Sequence, residues 1–307
     1  MKINEYIDKI VCPQKKNKLK LNNNFLTNEI DSNIKYPILN EIPILIDEQS
    51  SLYKVSKIVD NFDKENKLKK ILKYFLLNIS LNLKSKKNFN KINKMLNKES
   101  KILIIGGGTI GSNSEIIIHS EKKYFIITTD IFYSKNVNII NDAHNLCFAD
   151  KIFDCVIIQA VLEHVLEPHK CVSEIHRVLK DDGIIYAETP FMQQVHMKQY
   201  DFTRFTSLGH LWLFKNFKEL DSGPCSGPAM ALAWAWLFFL RSFSNNKIFV
   251  LFLTFFGRLT SFFLKYFDYF LINKKGGYDA ASGFYFIGKK ADYVLKKYDL
   301  LKRFKGN

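Results

Sequence analysis

The chain has 307 residues, 47% hydrophobic and 24% charged, which is enough apolar material for a sizeable core and excludes a disordered tail or a fibrous repeat. Forty-five Lys+Arg against 30 Asp+Glu leave a net charge of +15, a balance suited to an anionic partner such as nucleic acid or an acidic membrane face. Five scattered cysteines (Cys12, Cys147, Cys155, Cys171, Cys225) form no C-x-x-C pair, so neither a metal site nor a disulfide framework is expected.

The first residues, Met1-Lys2-Ile3-Asn4-Glu5, are followed by no apolar run, so a cytoplasmic setting is expected rather than export. Residues 1–48 read as a small β-rich module. It opens on Ile10-Val11-Cys12-Pro13 and closes on a stretch from Tyr36 to Ile46 in which Pro37 and Pro43 mark short edge strands. The module resembles a zinc-ribbon-like unit built on a C-P-x-C pair, a C-x-x-C pair and a Y-P-I-x-x-G-I-P ending. Here Cys12 alone remains and Lys15 stands where its partner would be, so the resemblance implies a degenerate, metal-free version.

Residues 49–99 read as a lysine-rich helical linker. Leu68, Ile71, Leu72, Phe75, Leu76 and Ile79 recur at helical spacing, with lysines on the opposite side. Residues 1–100 hold 20 lysines, no arginine and 11 carboxylates, so most of the positive excess precedes the segment that carries the chemistry. The joint abundance of lysine, asparagine and isoleucine is also what an AT-rich coding sequence produces without selection for binding.

Residues 100–222 alternate strands with helices. Lys101-Ile102-Leu103-Ile104-Ile105 is a continuous apolar run, as in a strand buried on both faces of a parallel sheet. Gly106-Gly107-Gly108-Thr109-Ile110-Gly111 follows, then a helix predicted over 112–120 whose N-terminus would present unpaired N–H groups to a ligand. Tyr124 to Thr128 is a second strand with Asp130 at its end. Residues 137–140, 153–158 and 183–187 are further strands, and a helix is predicted over 168–180. The alternation predicts a doubly wound, Rossmann-like α/β sheet. A glycine turn followed by a carboxylate that can hold a ribose diol suits a nicotinamide cofactor as well as S-adenosylmethionine.

Three further segments follow in order. They are Asn141-Asp142-Ala143-His144-Asn145-Leu146-Cys147-Phe148, then Gln159-Ala160-Val161-Leu162-Glu163-His164, then Arg177-Val178-Leu179-Lys180-Asp181-Asp182-Gly183. With the glycine turn they resemble the class I S-adenosylmethionine-dependent methyltransferases, in particular the small-molecule group with D-A-x-x-L-P-F, L-E-H and R-V-L-K-P-G-G motifs. The resemblance covers about residues 101–222 and implies a seven-stranded sheet and S-adenosylmethionine as cofactor. It implies that Gly106, Gly107 and Gly108 line the methionine half, Asp130 holds the ribose hydroxyls, Asp142 and Ala143 contact the adenine, and Gln159 closes the site. Ile104 replaces the acidic residue that many relatives carry in the first strand. His164 reads as a structural, hydrogen-bonded histidine.

On the acceptor side, Pro190-Phe191-Met192-Gln193-Gln194-Val195-His196 and Asp201-Phe202-Thr203-Arg204-Phe205-Thr206 resemble a segment of methyltransferases found with cell-surface glycan biosynthesis. His196 is the candidate general base, Asp201 could orient it, and Arg204 could grip an anionic group; the alternative is an Asp201–Arg204 ion pair that fixes the loop. Nucleic acid is disfavoured as a substrate. Gln159-Ala160-Val161-Leu162 lacks the N/D-P-P-Y/F of amino-methylating enzymes, and Pro224-Cys225-Ser226-Gly227 comes too late in the chain for a cytosine nucleophile and reads as a turn.

Residues 223–280 form an aromatic insert holding 11 of the 27 phenylalanines, before a last strand near Gly283–Ile287 and a basic tail in 281–307. Neither of its apolar runs reaches the ~18–20 uncharged residues of a spanning helix, so no membrane crossing is expected. Thr254, Arg258, Ser261, Lys265 and Asp268 form one narrow polar stripe beside a wide phenylalanine-rich face. That face suits internal packing, a homodimer interface, or peripheral contact of residues 229–272 with the inner face of a membrane. Together these features point to a methyltransferase acting on a small-molecule, glycan or lipid-linked glycan acceptor. The alternatives are a non-catalytic scaffold of a biosynthetic complex and, less favoured, an RNA methyltransferase.

Overall fold

Alternate residues of the strand Lys101–Ile105 (β5) point to opposite faces of the central sheet. Leu103 and Ile105 join one core with Val156, Ile158 and Phe153, while Ile102 and Ile104 join a second with Cys155, Ile157 and Tyr186. The computed structural model describes residues 2–60, 76–109 and 111–307. The helix Pro168–Val178 covers the first face, and the helix Ser85–Met95, through Phe89 and Ile92, covers the second.

Around β5 lie β6 (Phe125–Asp130), β7 (Ile139–Asn141), β8 (Phe153–Gln159) and β9 (Leu179–Pro190), all parallel. They are joined by β10 (Phe217–Ser226) and β11 (Gly283–Lys290), with β11 antiparallel between β9 and β10. The order β7-β6-β5-β8-β9-β11-β10 is the doubly wound, Rossmann-like sheet expected from the alternation of elements.

Four N-terminal strands, β1 (Leu19–Asn22), β2 (Phe25–Asn28), β3 (Lys35–Leu39) and β4 (Ile42–Leu45), extend this sheet. β4 is no edge strand, contrary to expectation: it pairs with β3 and runs parallel to β7, matching Ile44 to Ile140 and Leu45 to Asn141. Ile10 and Val11 contribute only isolated bridges, to Phe148 and Lys18. The Cys12 sulfur lies 3.2 Å from the Tyr36 hydroxyl.

Other expectations are corrected. The helix predicted over 112–120 contracts to Glu115–Ile118, one turn, too short to present an appreciable dipole to the glycine loop. Residues 223–226 continue β10 instead of turning, with the pairing register shifting between Pro224 and Ser226. The buried Cys225 thiol is pushed well up by burial, which removes it as a nucleophile. The linker helix drawn through Leu68–Ile79 lies largely outside the described residues; Leu76–Ile79 are not helical, and Ile79 is buried against Ala233 and Leu237.

The insert is a helical hairpin, Pro228–Arg241 against Lys247–Ser261, continued by Leu264–Phe267 and Asp268–Leu271. The polar stripe faces the protein: Ser261 and Asp268 are fully enclosed, Arg258 Nη1 donates to the Leu77 carbonyl (2.8 Å) and Lys265 Nζ to the Asn78 carbonyl (2.5 Å). The phenylalanine face points outward, with Ile248 82% and Phe270 76% exposed. The sequence argument against a crossing is therefore too strict. The stretch Lys247–Leu271 is 25 residues long and holds an 18-residue window of mean hydropathy 1.6, long and apolar enough to cross a membrane by length and composition, and only 17% of that window is buried.

Candidate active site

β5 is followed by Gly106, whose φ of +77° is open to glycine, and where a Cβ would fall 2.2 Å from the Val161 side chain. Gly106 and Gly107 donate their N–H groups to the Thr129 carbonyl at 2.8 and 3.0 Å, which folds the turn over the end of β6. There Asp130 Oδ2 accepts the Gly108 N–H (2.9 Å) and Oδ1 accepts the Phe132 N–H (3.0 Å). Burial raises this carboxyl above its ordinary range, against the opposing pull of the backbone N–H groups. Each oxygen retains a lone pair, so the carboxylate at the mouth of the turn can still accept a pair of hydroxyl groups.

Asp142 is more heavily engaged. Its Oδ2 accepts the Ser51 hydroxyl (2.5 Å) and its Oδ1 accepts both the backbone N–H (3.0 Å) and Nδ1 (2.6 Å) of His144. His144 Nε2 accepts the Glu167 N–H (3.0 Å), which leaves the proton on Nδ1. Burial alone would raise the Asp142 carboxyl, but the bonds from His144 and Ser51 prevail and lower it. The carboxylate expected to meet the adenine thus also ties the linker to the sheet, beside the buried Ala143.

Gln159, at the end of β8, donates to Glu188 Oε2 at 2.9 Å. Glu188 also accepts from Asn82 (3.1 Å to each oxygen) and from the Tyr186 hydroxyl, forming a buried network beneath the site. Ala160 follows at φ +52°, a left-handed conformation held by its N–H bond to the Glu188 carbonyl (3.0 Å).

Three aromatic residues that sequence reasoning missed, Tyr53, Phe132 and Tyr200, lie together beside the acidic pair. Tyr53 stacks on Tyr200 (5.5 Å, 24°), and Phe132 meets Tyr53 edge-on (5.9 Å, 89°) around a cavity of about 340 Å³. Burial, followed by the charge of Asp142, pushes the Tyr53 phenol up to about 12. A smaller cavity of about 180 Å³ lies along Gly106, Gly107, Gly111 and Gln159.

The loop after β9 brings His196, Asp201 and Arg204 together. Asp201 Oδ2 accepts the His196 N–H (2.8 Å) and lies 3.3 Å from its Nδ1. Arg204 pairs with both Asp201 oxygens, and its remaining N–H groups go to the carbonyls of Gln193 (2.9 Å), Thr203 (2.8 Å) and Gln194 (3.2 Å). All five guanidinium donors are therefore spent on the loop, so the geometry gives Arg204 the loop-fixing role and leaves no donor to grip an anion. Burial would raise the Asp201 carboxyl, yet Arg204 and His196 hold it at about 2.

His164, read as structural, donates Nδ1 to the Tyr200 carbonyl (2.7 Å) and meets the His196 ring edge-on at 4.8 Å. Beneath both lies Glu163, quoted in the L-E-H motif but given no role by sequence; burial pushes its carboxyl up to about 8. Phe191, Gln193, Asp201 and Arg204 form one wall of a cavity of about 830 Å³, and Pro228, Leu232 and Phe238 of the hairpin form the other.

Residues 127–187, which run from β6 through Asp130, Asp142 and Gln159 into β9, match the family model described as methyltransferase domain. The chain carries a methyltransferase domain. The glycine turn and the receptive Asp130 carboxylate fit S-adenosylmethionine as the methyl donor of such a domain.

Among solved structures, coclaurine N-methyltransferase bound to N-methylheliamine and SAH is 11% identical, covering 67% of this chain and 72% of that one at TM-score 0.45. A Haemonchus contortus phosphoethanolamine N-methyltransferase 2 in complex with S-adenosyl-L-methionine is 14% identical, covering 68% and 52% at 0.42. A SAM-dependent methyltransferase from Methanosarcina mazei is 15% identical, covering 67% and 98% at 0.39. Comparison with curated proteins finds no match.

Proposed function

We propose that this methyltransferase modifies a lipid-linked glycan at the inner face of a membrane. The observation that carries the reading is the two-sided cavity of about 830 Å³, polar along Gln193, Asp201 and Thr203 and apolar along Ala231, Leu232, Ala235 and Phe238. An acceptor with a sugar head and a hydrocarbon tail matches both walls. The apolar wall belongs to the helix Pro228–Arg241, whose outer side, through Trp236 and Phe239, continues by way of Phe243 into the exposed aromatic face.

Bound S-adenosylmethionine supplies an electrophilic methyl group that an acceptor oxygen or nitrogen displaces in line. The loop held by Asp201 and Arg204 positions the acceptor head. The hairpin seats the enzyme on the lipid surface. A helix with its polar stripe fastened to Leu77 and Asn78 would have to break those bonds to span the bilayer, so lying in the interface is favoured. Lys247, Lys274 and Lys275 at the hairpin ends suit anionic headgroups.

The test is transfer of labelled methyl groups by the full-length protein to a membrane extract. Label is expected in the solvent-extractable glycolipid fraction, with binding to anionic vesicles that is lost when Phe249, Phe252, Phe256 and Phe270 are replaced by serine. Label confined to soluble small molecules or RNA, or vesicle binding unchanged by those substitutions, would overturn the reading.

A further inference from the structure

Glu163 is fully enclosed, and among the described residues neither of its carboxylate oxygens has a hydrogen-bond partner. Proteins seldom leave a buried carboxylate so. Two imidazoles face it, with His164 Nε2 at 3.7 Å and His196 Nε2 at 3.8 Å from Oε1. The other nitrogen of each ring is turned to an oxygen: His164 Nδ1 to the Tyr200 carbonyl (2.7 Å), and His196 Nδ1 to the Gln194 carbonyl and Asp201 Oδ2 (both 3.3 Å). With the proton held on Nδ1, each ring presents a bare Nε2 lone pair to the carboxylate. Three potential ligand atoms converge, and no hydrogen bond joins Glu163 to either ring.

We propose that Glu163, His164 and His196 form a binding site for a divalent transition-metal ion of the zinc type. Two imidazoles and one carboxylate suit such an ion and not magnesium or calcium, which favour oxygen ligands. The acceptors behind each Nδ1 are the outer partners that orient metal-bound histidines. One candidate ligand atom from each residue falls within 4.8 Å of the others. Tetrahedral bonds of about 2.0–2.1 Å place ligands about 3.3 Å apart, so the two separations to Glu163 close by about half an ångström on binding.

The His196 side chain keeps 27% of its surface exposed against 1% for Glu163, which leaves the free coordination position on the open side. That side borders Val195 and Asp201 of the large cavity. The ion would lock the acceptor loop to the Glu163 segment and present a Lewis acid toward the acceptor, with His196 as ligand instead of free base. The site does not depend on the identity of the acceptor.

Full-length protein stripped with a chelator and titrated with Co²⁺ tests this. One equivalent is expected to bind with visible ligand-field bands that Zn²⁺ abolishes. His196→Ala, in an exposed loop, and Glu163→Gln are each expected to weaken binding at least 100-fold, and Asp201→Asn about 10–100-fold. No binding by folded wild-type protein, or equal binding by His196→Ala, would overturn the site. Because the readout is metal binding alone, failure here leaves the methylation assay independent.

Discussion

Asp268, at the start of the short helix that continues the aromatic hairpin, caps the hairpin's first helix: its Oδ1 accepts the Ala229 N–H at 2.8 Å, and its Oδ2 accepts the Met230 N–H at 3.0 Å. The carboxylate is fully enclosed, so it satisfies two backbone donors that water cannot reach. Asp268→Ala should therefore cost about 1–3 kcal/mol in urea unfolding and open the hairpin to limited proteolysis, while the β-sheet keeps its circular dichroism signal. An unchanged protease pattern would mean that the two helices are held by apolar packing alone.

The Asp130 carboxylate is set by Gly108 and Phe132 before any ligand arrives. Replacing it with asparagine keeps the volume and removes one acceptor and the charge. Calorimetry with S-adenosylmethionine should then give a Kd raised about 10–100-fold, the value of one or two charged hydrogen bonds. Absence of binding by the well-folded wild type would favour the scaffold reading over an enzyme.

The stack of Tyr53 on Tyr200 joins the linker to the acceptor loop above the acidic pair. Tyr53→Ala should raise the KM for cofactor about 2–10-fold, in line with the ~0.5–1.5 kcal/mol of an aromatic pair, whereas Tyr53→Phe should leave it near wild type. Equal effects of the two substitutions would assign the role to the hydroxyl and not to the ring.

His210 is enclosed beside Phe205 and Phe214, and burial lowers its pKa from 6.5 to about 3. The unfolded chain binds that proton more readily, so this contribution to stability is complete above pH ~6.5 and drains away as pH falls toward ~3. The slope is at most about 1.4 kcal/mol per pH unit. His210→Phe should flatten the fall of the urea midpoint between pH 6.5 and 5 relative to wild type; parallel curves would exclude His210 as the source.

The legible parts of this molecule were those whose information is local. Lys101–Ile105 is legible to the residue because a β-branched run closed by glycines needs no partner to be recognised, and Asp201 and Arg204 belong together because they are close in sequence. Residues 223–226 misled because glycine and proline usually mark turns, and here pairing with β11 overrides them. Glu163 could be quoted in a motif but not understood. Its meaning comes from His196, which the loop after β9 carries back to it. The hairpin's polar stripe was visible, but which side of the helix met the protein depended on Leu77, Asn78 and Ala229.

The register that joins Ile44 to Ile140 also sets an order of events during synthesis. Leu45 and Asn141, which share a hydrogen bond, are 96 positions apart. At about 5–20 residues per second, the N-terminal strands emerge roughly 5–20 s before the strand that completes them. For that interval the β4 edge is bare and apolar, a surface that invites mispairing between nascent chains. A chaperone that shields the first fifty residues should therefore raise the yield of folded protein more than one acting on the finished chain.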